Sequence, residues 1–212
     1  RDIVMYFVGI AVLFLLWPEV FTYRKIVTDD NLVSYAAARR LTPDYWHSFY
    51  QSTVYAASML VIPFKFSISL FQWSVFMFEL AYIYFRSEKY APKFRWAILT
   101  VFLFPNALEF ITYSYRVCIY MSVLAVYVTI IVFDMLEKRS RSFKNYVWLA
   151  AFSAFVSVWR SEGIIIGALT YLIYVIYGSK KDLKSVFKKL SVYAFFLILI
   201  MAPQKIGDIK YY

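Results

Sequence analysis

The sequence predicts an all-α fold, a polytopic transmembrane helical bundle of about seven spans. Of the 212 residues, 62% are hydrophobic and 22% are aromatic, and the mean hydropathy is +0.61. Soluble domains are closer to half apolar, so this composition is typical of a membrane protein. The apolar residues also form runs that approach the roughly 20 residues that a helical span needs. These runs cover residues 3–21, 66–85, 94–112, 117–136, 146–160, 163–178 and 190–203.

The basic residues predict which loops face the cytoplasm, because cytoplasmic loops are enriched in Lys and Arg. If residues 48–64 do not cross the membrane and the N-terminus is cytoplasmic, most of the 23 basic residues lie in inner loops. If residues 48–64 do cross, only a minority lie inside. The first arrangement is preferred, so residues 22–65 form one long outer loop with amphipathic helices, and 48–64 lies along the membrane surface or dips into it. The net charge of +10 then marks the inner loops and does not indicate a nucleic-acid partner.

The stretch "SVWRSEGIII" places Arg160 and Glu162 in an otherwise apolar segment. Charged residues in a membrane segment indicate a functional site. A single crossing helix would put the two flanking basic loops on opposite sides, so we predict a hairpin that turns at Ser161–Gly163, where a glycine suits a tight turn. Residues i and i+2 of one helix point to different sides, so the two charges need other partners or a non-helical turn between them. They line a recessed pocket open to water, or they only form ion pairs that hold the bundle together.

The first outer loop contains an acidic pair, Asp29 and Asp30. One carboxylate is a candidate general base for a hydroxyl nucleophile, whereas the alternative is a cap for the helix that follows. Arg39 and Arg40, further along, bind a lipid phosphate or form a solvated helix face. His47 lies among aromatic residues and fits an aromatic belt at the membrane interface. No second histidine lies near it, so no metal site is predicted.

The second outer turn contains Glu109, Tyr113 and Arg116. The planar guanidinium of Arg116 can bind a phosphate through two hydrogen bonds, or it can extend from a helix end to the membrane surface. The single Cys118 excludes an internal disulfide. No nucleotide-binding, zinc-protease or serine-hydrolase motif occurs, so the familiar soluble chemistries have no support in the sequence.

These outer elements resemble, in their order, the GT-C superfamily of integral membrane glycosyltransferases. "VTDDN" is similar to the acidic residues of the family's first outer loop, and "PDYWHSFY" is similar to the amphipathic stretch that follows it. "TYSYR" resembles the Tyr-Ser-x-Arg element of the dolichyl-phosphate-mannose-dependent members, and "VWRSEG" resembles their Arg-x-Glu element. The family transfers a sugar from a polyprenyl-phosphate carrier to an acceptor on the outer or lumenal face.

The resemblance implies a role for each candidate residue. The catalytic candidates are Asp29, Asp30 and Glu162; the donor-phosphate candidates are Arg116, Arg160, Arg39 and Arg40; further site candidates are His47, Glu109 and Tyr113. One of the two aspartates would deprotonate the acceptor hydroxyl in an inverting transfer. No cofactor is predicted, and a divalent metal has no ligand set to support it.

The resemblance also implies partners and a location. The partners are a polyprenyl- or dolichyl-phosphate sugar, membrane lipid, and a glycan, lipid or protein acceptor. The location is a bacterial plasma membrane or the endoplasmic reticulum membrane, with the active site facing outside or the lumen. We expect one transmembrane domain, 1–212, as the N-terminal part of a longer chain. The alternatives are a lipid-linked polysaccharide polymerase or ligase, a membrane transporter, and a non-catalytic membrane scaffold.

Overall fold

In a computed structural model of the chain, every regular element among the described residues is a helix. The structure describes residues 35–40, 49–63, 67–93, 116–138, 142–179 and 182–211, together with 4, 7, 8, 11, 95, 97 and 100. The helices are α1 (Phe49–Val61), α2 (Ser67–Ser87), α3 (Arg116–Leu136), α4 (Phe143–Trp159), α5 (Gly163–Gly178) and α6 (Leu183–Tyr211). The predicted all-α class is therefore confirmed for the described part of the chain.

Three described helices are long and apolar enough to cross a membrane, which supports the prediction of a membrane protein. They are Ser67–Ser87, Val117–Leu136 and Leu183–Ile206, and Gly163–Gly178 is a shorter apolar helix. The predicted runs 3–21 and 94–112 lie, apart from isolated residues, outside the described part. The seven-span bundle therefore stays a prediction.

Helix α1 lies within the stretch 48–64, which the charge distribution predicts not to cross the membrane. It has 13 residues, and at about 1.5 Å per residue it is about 20 Å long. The hydrocarbon core of a bilayer is about 30 Å thick. The described part of this helix is shorter than that core, and residues 41–48 before it lie outside the described residues. That 48–64 does not cross the membrane therefore stays a prediction.

The residues form two contact units, and the first contains most of α1, all of α2 and the start of α3. Its ranges are Arg1–Thr42 and Ser52–Val123. A small core forms around Met77 and Leu80 on α2, with Trp73 packed against it. A groove of about 260 Å³ opens in this unit, and its lining is mostly apolar. It is lined by Ala57, Ser58, Val61, Ile62, Ser67, Leu70, Phe71 and Ser74.

The second unit, Pro43–Gln51 and Leu124–Tyr212, is built on the hairpin of α4 and α5. Small residues allow these two helices to pack closely, since a Cβ at Gly167 would collide with the Ser157 hydroxyl and lie 3.0 Å from the Ser153 carbonyl oxygen. The Ser153 hydroxyl donates to the Gly167 carbonyl at 2.9 Å, and Tyr127 of α3 donates to the same carbonyl at 3.3 Å. The predicted hairpin is confirmed.

Helix α6 begins earlier than the sequence predicted. Residues 178–189 were expected to form an inner loop, but the helix starts at Leu183 and has 29 residues. Asp182 caps it, because its carboxylate accepts the backbone N–H of Lys184 at 3.1 Å. The basic side chains after Asp182 therefore lie on the first turns of a helix.

The predicted orientation leads to a labelling experiment. With Cys118 replaced by serine, single cysteines at positions 30, 45 and 162 should react with a membrane-impermeant thiol reagent from outside. Cysteines at 90, 141 and 184 should react only after the membrane is permeabilised, because the positive-inside rule places these basic segments in the cytoplasm. Reaction of position 90 from outside would mean that residues 48–64 cross, and the acidic pair would then lie on the opposite side of the membrane from Arg116 and Arg160.

Candidate functional site

The turn between α4 and α5 contains the two charges that the sequence singled out. Helix α4 ends at Trp159, and Arg160 has an extended backbone with φ −140° and ψ 151°. The N–H of Gly163 donates to the carbonyl of Arg160 at 2.9 Å and closes the turn. Gly163 starts α5 and is buried, and no described glycine has a positive φ. The expected tight turn is present, but the special backbone freedom of glycine is not what forms it.

Within this turn Arg160 and Glu162 pair with each other. Arg160 Nε lies 3.3 Å from Glu162 Oε2, and Nη2 lies 3.3 Å from Oε1. The extended backbone at Arg160 turns two residues toward each other that a continuous helix would separate. The alternative of a non-helical turn between the charges is therefore confirmed. The Ser161 hydroxyl adds a third contact to the carboxylate at 3.2 Å.

The pair is asymmetric in its exposure. The Arg160 side chain is 25% exposed and the Glu162 side chain is 64% exposed. Glu162 therefore contacts the guanidinium from its exposed side, and Arg160 is the more buried residue of the pair. Side-on pairing uses two of the five N–H donors of a guanidinium and fixes its plane. The pair thus holds the Arg160 guanidinium in one orientation, and a guanidinium is a group that binds phosphate well.

The pairing also sets the charge of the carboxylate. Hydrogen bonds from Arg160 are the main cause that lowers the pKa of Glu162 from 4.5 to about 2, and the positive charge of Arg160 adds to this effect. A general base is most effective when its pKa is close to the working pH. Glu162 is therefore better suited to orienting Arg160 than to accepting a proton.

This pKa predicts how the site responds to pH. A lowered pKa means that pairing favours the ionised carboxylate, so its contribution is complete above about pH 4.5 and is lost as the pH falls through about 2. Between about pH 5 and 9, kcat/KM for the donor should follow the same profile in the wild type and in Glu162→Gln, although the level differs. An ionisation near neutral pH that disappears in Glu162→Gln would contradict this assignment.

The start of α1 lies against the same end of α4 and against α6, all within the second unit. The amide of Gln51 accepts a hydrogen bond from the Trp159 indole N–H at 3.0 Å. The Phe49 N–H donates to the Gln204 side chain at 2.6 Å, and the Tyr50 hydroxyl donates to the Ile200 carbonyl. Sequence reasoning missed Gln51, since nothing in a single sequence shows that a residue 108 positions away contacts Trp159.

The other predicted site residues are only partly described. Arg39 and Arg40 are exposed at the end of a helical segment, 35–39, which agrees with the predicted helix after the acidic pair. Arg116 is the first residue of α3, and its side chain is not described. Five candidates lie outside the described residues, namely Asp29, Asp30, His47, Glu109 and Tyr113. Arg160 and Glu162 are therefore the two predicted residues that the described structure brings together.

The structure also shows buried charges that the sequence analysis did not select. Asp134 is 1% exposed and accepts the Tyr174 hydroxyl at 3.3 Å. Lys189 is 8% exposed, donates to the Ser179 hydroxyl at 2.9 Å, and lies 3.7 Å from the centre of the Tyr146 ring. Both groups have polar or aromatic partners, as buried charges require.

Comparison with known proteins does not assign the chain to a family. No family model matches the sequence, and neither the curated proteins nor the solved structures contain a significant match.

Proposed function

We propose that this chain is part of a membrane-embedded glycosyltransferase of the GT-C type. It would transfer a sugar from a polyprenyl-phosphate carrier to an acceptor hydroxyl at the outer or lumenal face. The main support is the turn after α4, where Glu162 holds Arg160 at the end of an apolar hairpin. The order of the outer motifs in the sequence adds to it.

In the proposed reaction an aspartate acts on the acceptor. The carboxylate of Asp29 or Asp30 takes the proton from the acceptor hydroxyl, whose oxygen attacks the anomeric carbon of the donor sugar. A new carbon–oxygen bond forms on one side of the sugar while the bond to the carrier phosphate breaks on the other. The configuration at this carbon is inverted.

Arg160 acts on the leaving group in this scheme. The electron pair of the broken bond stays with the carrier phosphate, so negative charge develops on its oxygens. A fixed cation close to these oxygens stabilises the transition state more than the ground state. Glu162 contributes by keeping the guanidinium in one orientation, which reduces the ordering needed when the donor binds.

A direct test uses purified protein and a panel of polyprenyl- and dolichyl-phosphate sugars. The proposal predicts release of the lipid phosphate together with a glycosylated acceptor for at least one donor. The protein would be used as the full natural polypeptide in nanodiscs, and Arg160→Ala would serve as the inactive control. Absence of release from every donor, with protein that keeps its thermal unfolding transition, would contradict the proposal.

A transporter is the second candidate, and buried charges in the second unit favour it. Asp134 and Lys189 lie on helices long enough to span a membrane, and such residues often line substrate pathways. Uptake of a labelled sugar or lipid-linked sugar into proteoliposomes, without chemical change, would support transport. Release of lipid phosphate would support transfer.

A further inference from the structure

We infer that Gln51 is a positioning residue that holds the Arg160–Glu162 turn in place through Trp159. This inference rests on the proposed function, in which Arg160 binds the donor phosphate. The indole N–H of Trp159 donates to Gln51 Oε1 at 3.0 Å, and both side chains are 2% exposed. The hydrogen bond thus joins the first turn of α1 to the last residue of α4.

The hydrogen bond between Gln51 and Trp159 affects the turn because Trp159 directly precedes Arg160 in the chain. The helix ends at Trp159, and the backbone becomes extended at the next residue, Arg160. A buried indole N–H strongly favours a conformation that has an acceptor, because a buried donor without one is costly. Gln51 therefore selects one orientation of Trp159, and this orientation sets where the backbone leaves α4. The position of Arg160, the next residue, is fixed as a result.

Gln51 is itself held by the residues before it. The Phe49 N–H and the Tyr50 hydroxyl both donate to α6, at Gln204 and at the Ile200 carbonyl. The Tyr50 ring packs edge-to-face on Phe155 of α4, with centroids 5.3 Å apart. The first turn of α1 is thus attached to two helices of the second unit. It presents Gln51 to Trp159 from a fixed position.

If Gln51 served only to fill space in the core, its polar amide would bring no energetic advantage. Its Nε2 group is buried and has no hydrogen-bond partner in the described part of the chain. A buried donor without a partner is unfavourable, so an apolar side chain of similar size would serve packing alone at least as well. The acceptor oxygen is therefore the part of Gln51 that matters for Trp159.

The test compares Gln51→Met, which keeps the size and removes the acceptor, with Trp159→Phe, which removes the donor of the same hydrogen bond. Gln72→Met is the matched control, because Gln72 is also fully buried but belongs to the first unit. Hydrogen exchange of the Gly163 N–H, which donates to the Arg160 carbonyl and closes the turn, reports how well the turn is fixed. Donor KM and kcat are measured on the same variants.

We expect Gln51→Met to increase the exchange rate of the Gly163 N–H several-fold and to lower kcat/KM about tenfold, mainly through donor KM, since small misplacements in a site have effects of this order or larger. Trp159→Phe should have effects of similar size, and Gln72→Met should change neither quantity. Trp159→Phe removes the same hydrogen bond, so combining it with Gln51→Met should add little. In an Arg160→Lys background, Gln51→Met should have no further effect on donor KM.

Two results would overturn the inference while leaving the proposed function intact. One is an unchanged exchange rate of the Gly163 N–H in Gln51→Met; the other is a faster exchange rate with donor KM unchanged. A wild-type protein that transfers no sugar from any donor would instead contradict the proposed function, and the role of Gln51 in donor binding would fall with it. The exchange result and the wild-type assay therefore separate the two failures.

Discussion

We expect replacement of Asp29 or Asp30 by asparagine to abolish sugar transfer for at least one of the two positions, with little effect on folding. Loss of a general base lowers a rate by about 10²–10⁴. Asparagine keeps the size of the side chain and caps a helix about as well as aspartate. The substitution therefore removes a general base without removing a helix cap. The measurement is release of lipid phosphate alongside the thermal unfolding temperature.

Asp182 offers a matched control for this experiment. Its carboxylate demonstrably caps α6 through the N–H of Lys184, and the proposed reaction does not use it. Asp182→Asn should therefore leave both transfer and unfolding temperature close to the wild type. If Asp29→Asn and Asp30→Asn also retain full transfer, the acidic pair is only a helix cap and the assignment of the base is wrong.

The sequence was sufficient for features that depend on local pattern. The apolar run 163–178 predicts α5 at its observed bounds, because a continuous apolar segment ends where polar and basic residues begin. The hairpin that α5 forms with α4 was predicted from the distribution of charge, since a single crossing would have placed two basic loops on opposite sides of the membrane. Both features depend on residues that are close in sequence or on the distribution of charge.

Features that depend on distant contacts were not predictable in this way. Gln51 looks like any polar residue of an amphipathic helix until the fold brings it to Trp159. Asp134 was near the end of an apolar run and gave no sign that Tyr174, on another helix, would cover it. The start of α6 was misplaced because Lys184, Lys188 and Lys189 indicate a loop by charge, although lysine is also a good helix former.

We expect the Arg160–Glu162 pair to affect donor binding far more than stability. Glu162 is 64% exposed, and exposed ion pairs contribute about 0–1 kcal/mol. The cost of about 3–5 kcal/mol for breaking a buried pair does not apply to such a carboxylate. Arg160→Lys keeps the charge but loses the second hydrogen bond to a phosphate oxygen. A bond of this kind to a charged group contributes about 1.5 kcal/mol or more, so donor KM should rise about tenfold.

A double-mutant cycle with Arg160→Lys and Glu162→Gln, measured both in unfolding temperature and in donor KM, distinguishes a binding site from a structural clasp. In a binding site the two substitutions interact in donor KM, because Glu162 acts by orienting Arg160, while their effects on unfolding are small. In a clasp each single variant loses stability and the double variant regains much of it, with donor KM unchanged. Strong coupling in stability without coupling in donor KM would contradict the site assignment. The exposure of Glu162 and the side-on geometry of the pair favour the first outcome, since this arrangement fixes the plane of a guanidinium and provides little buried contact.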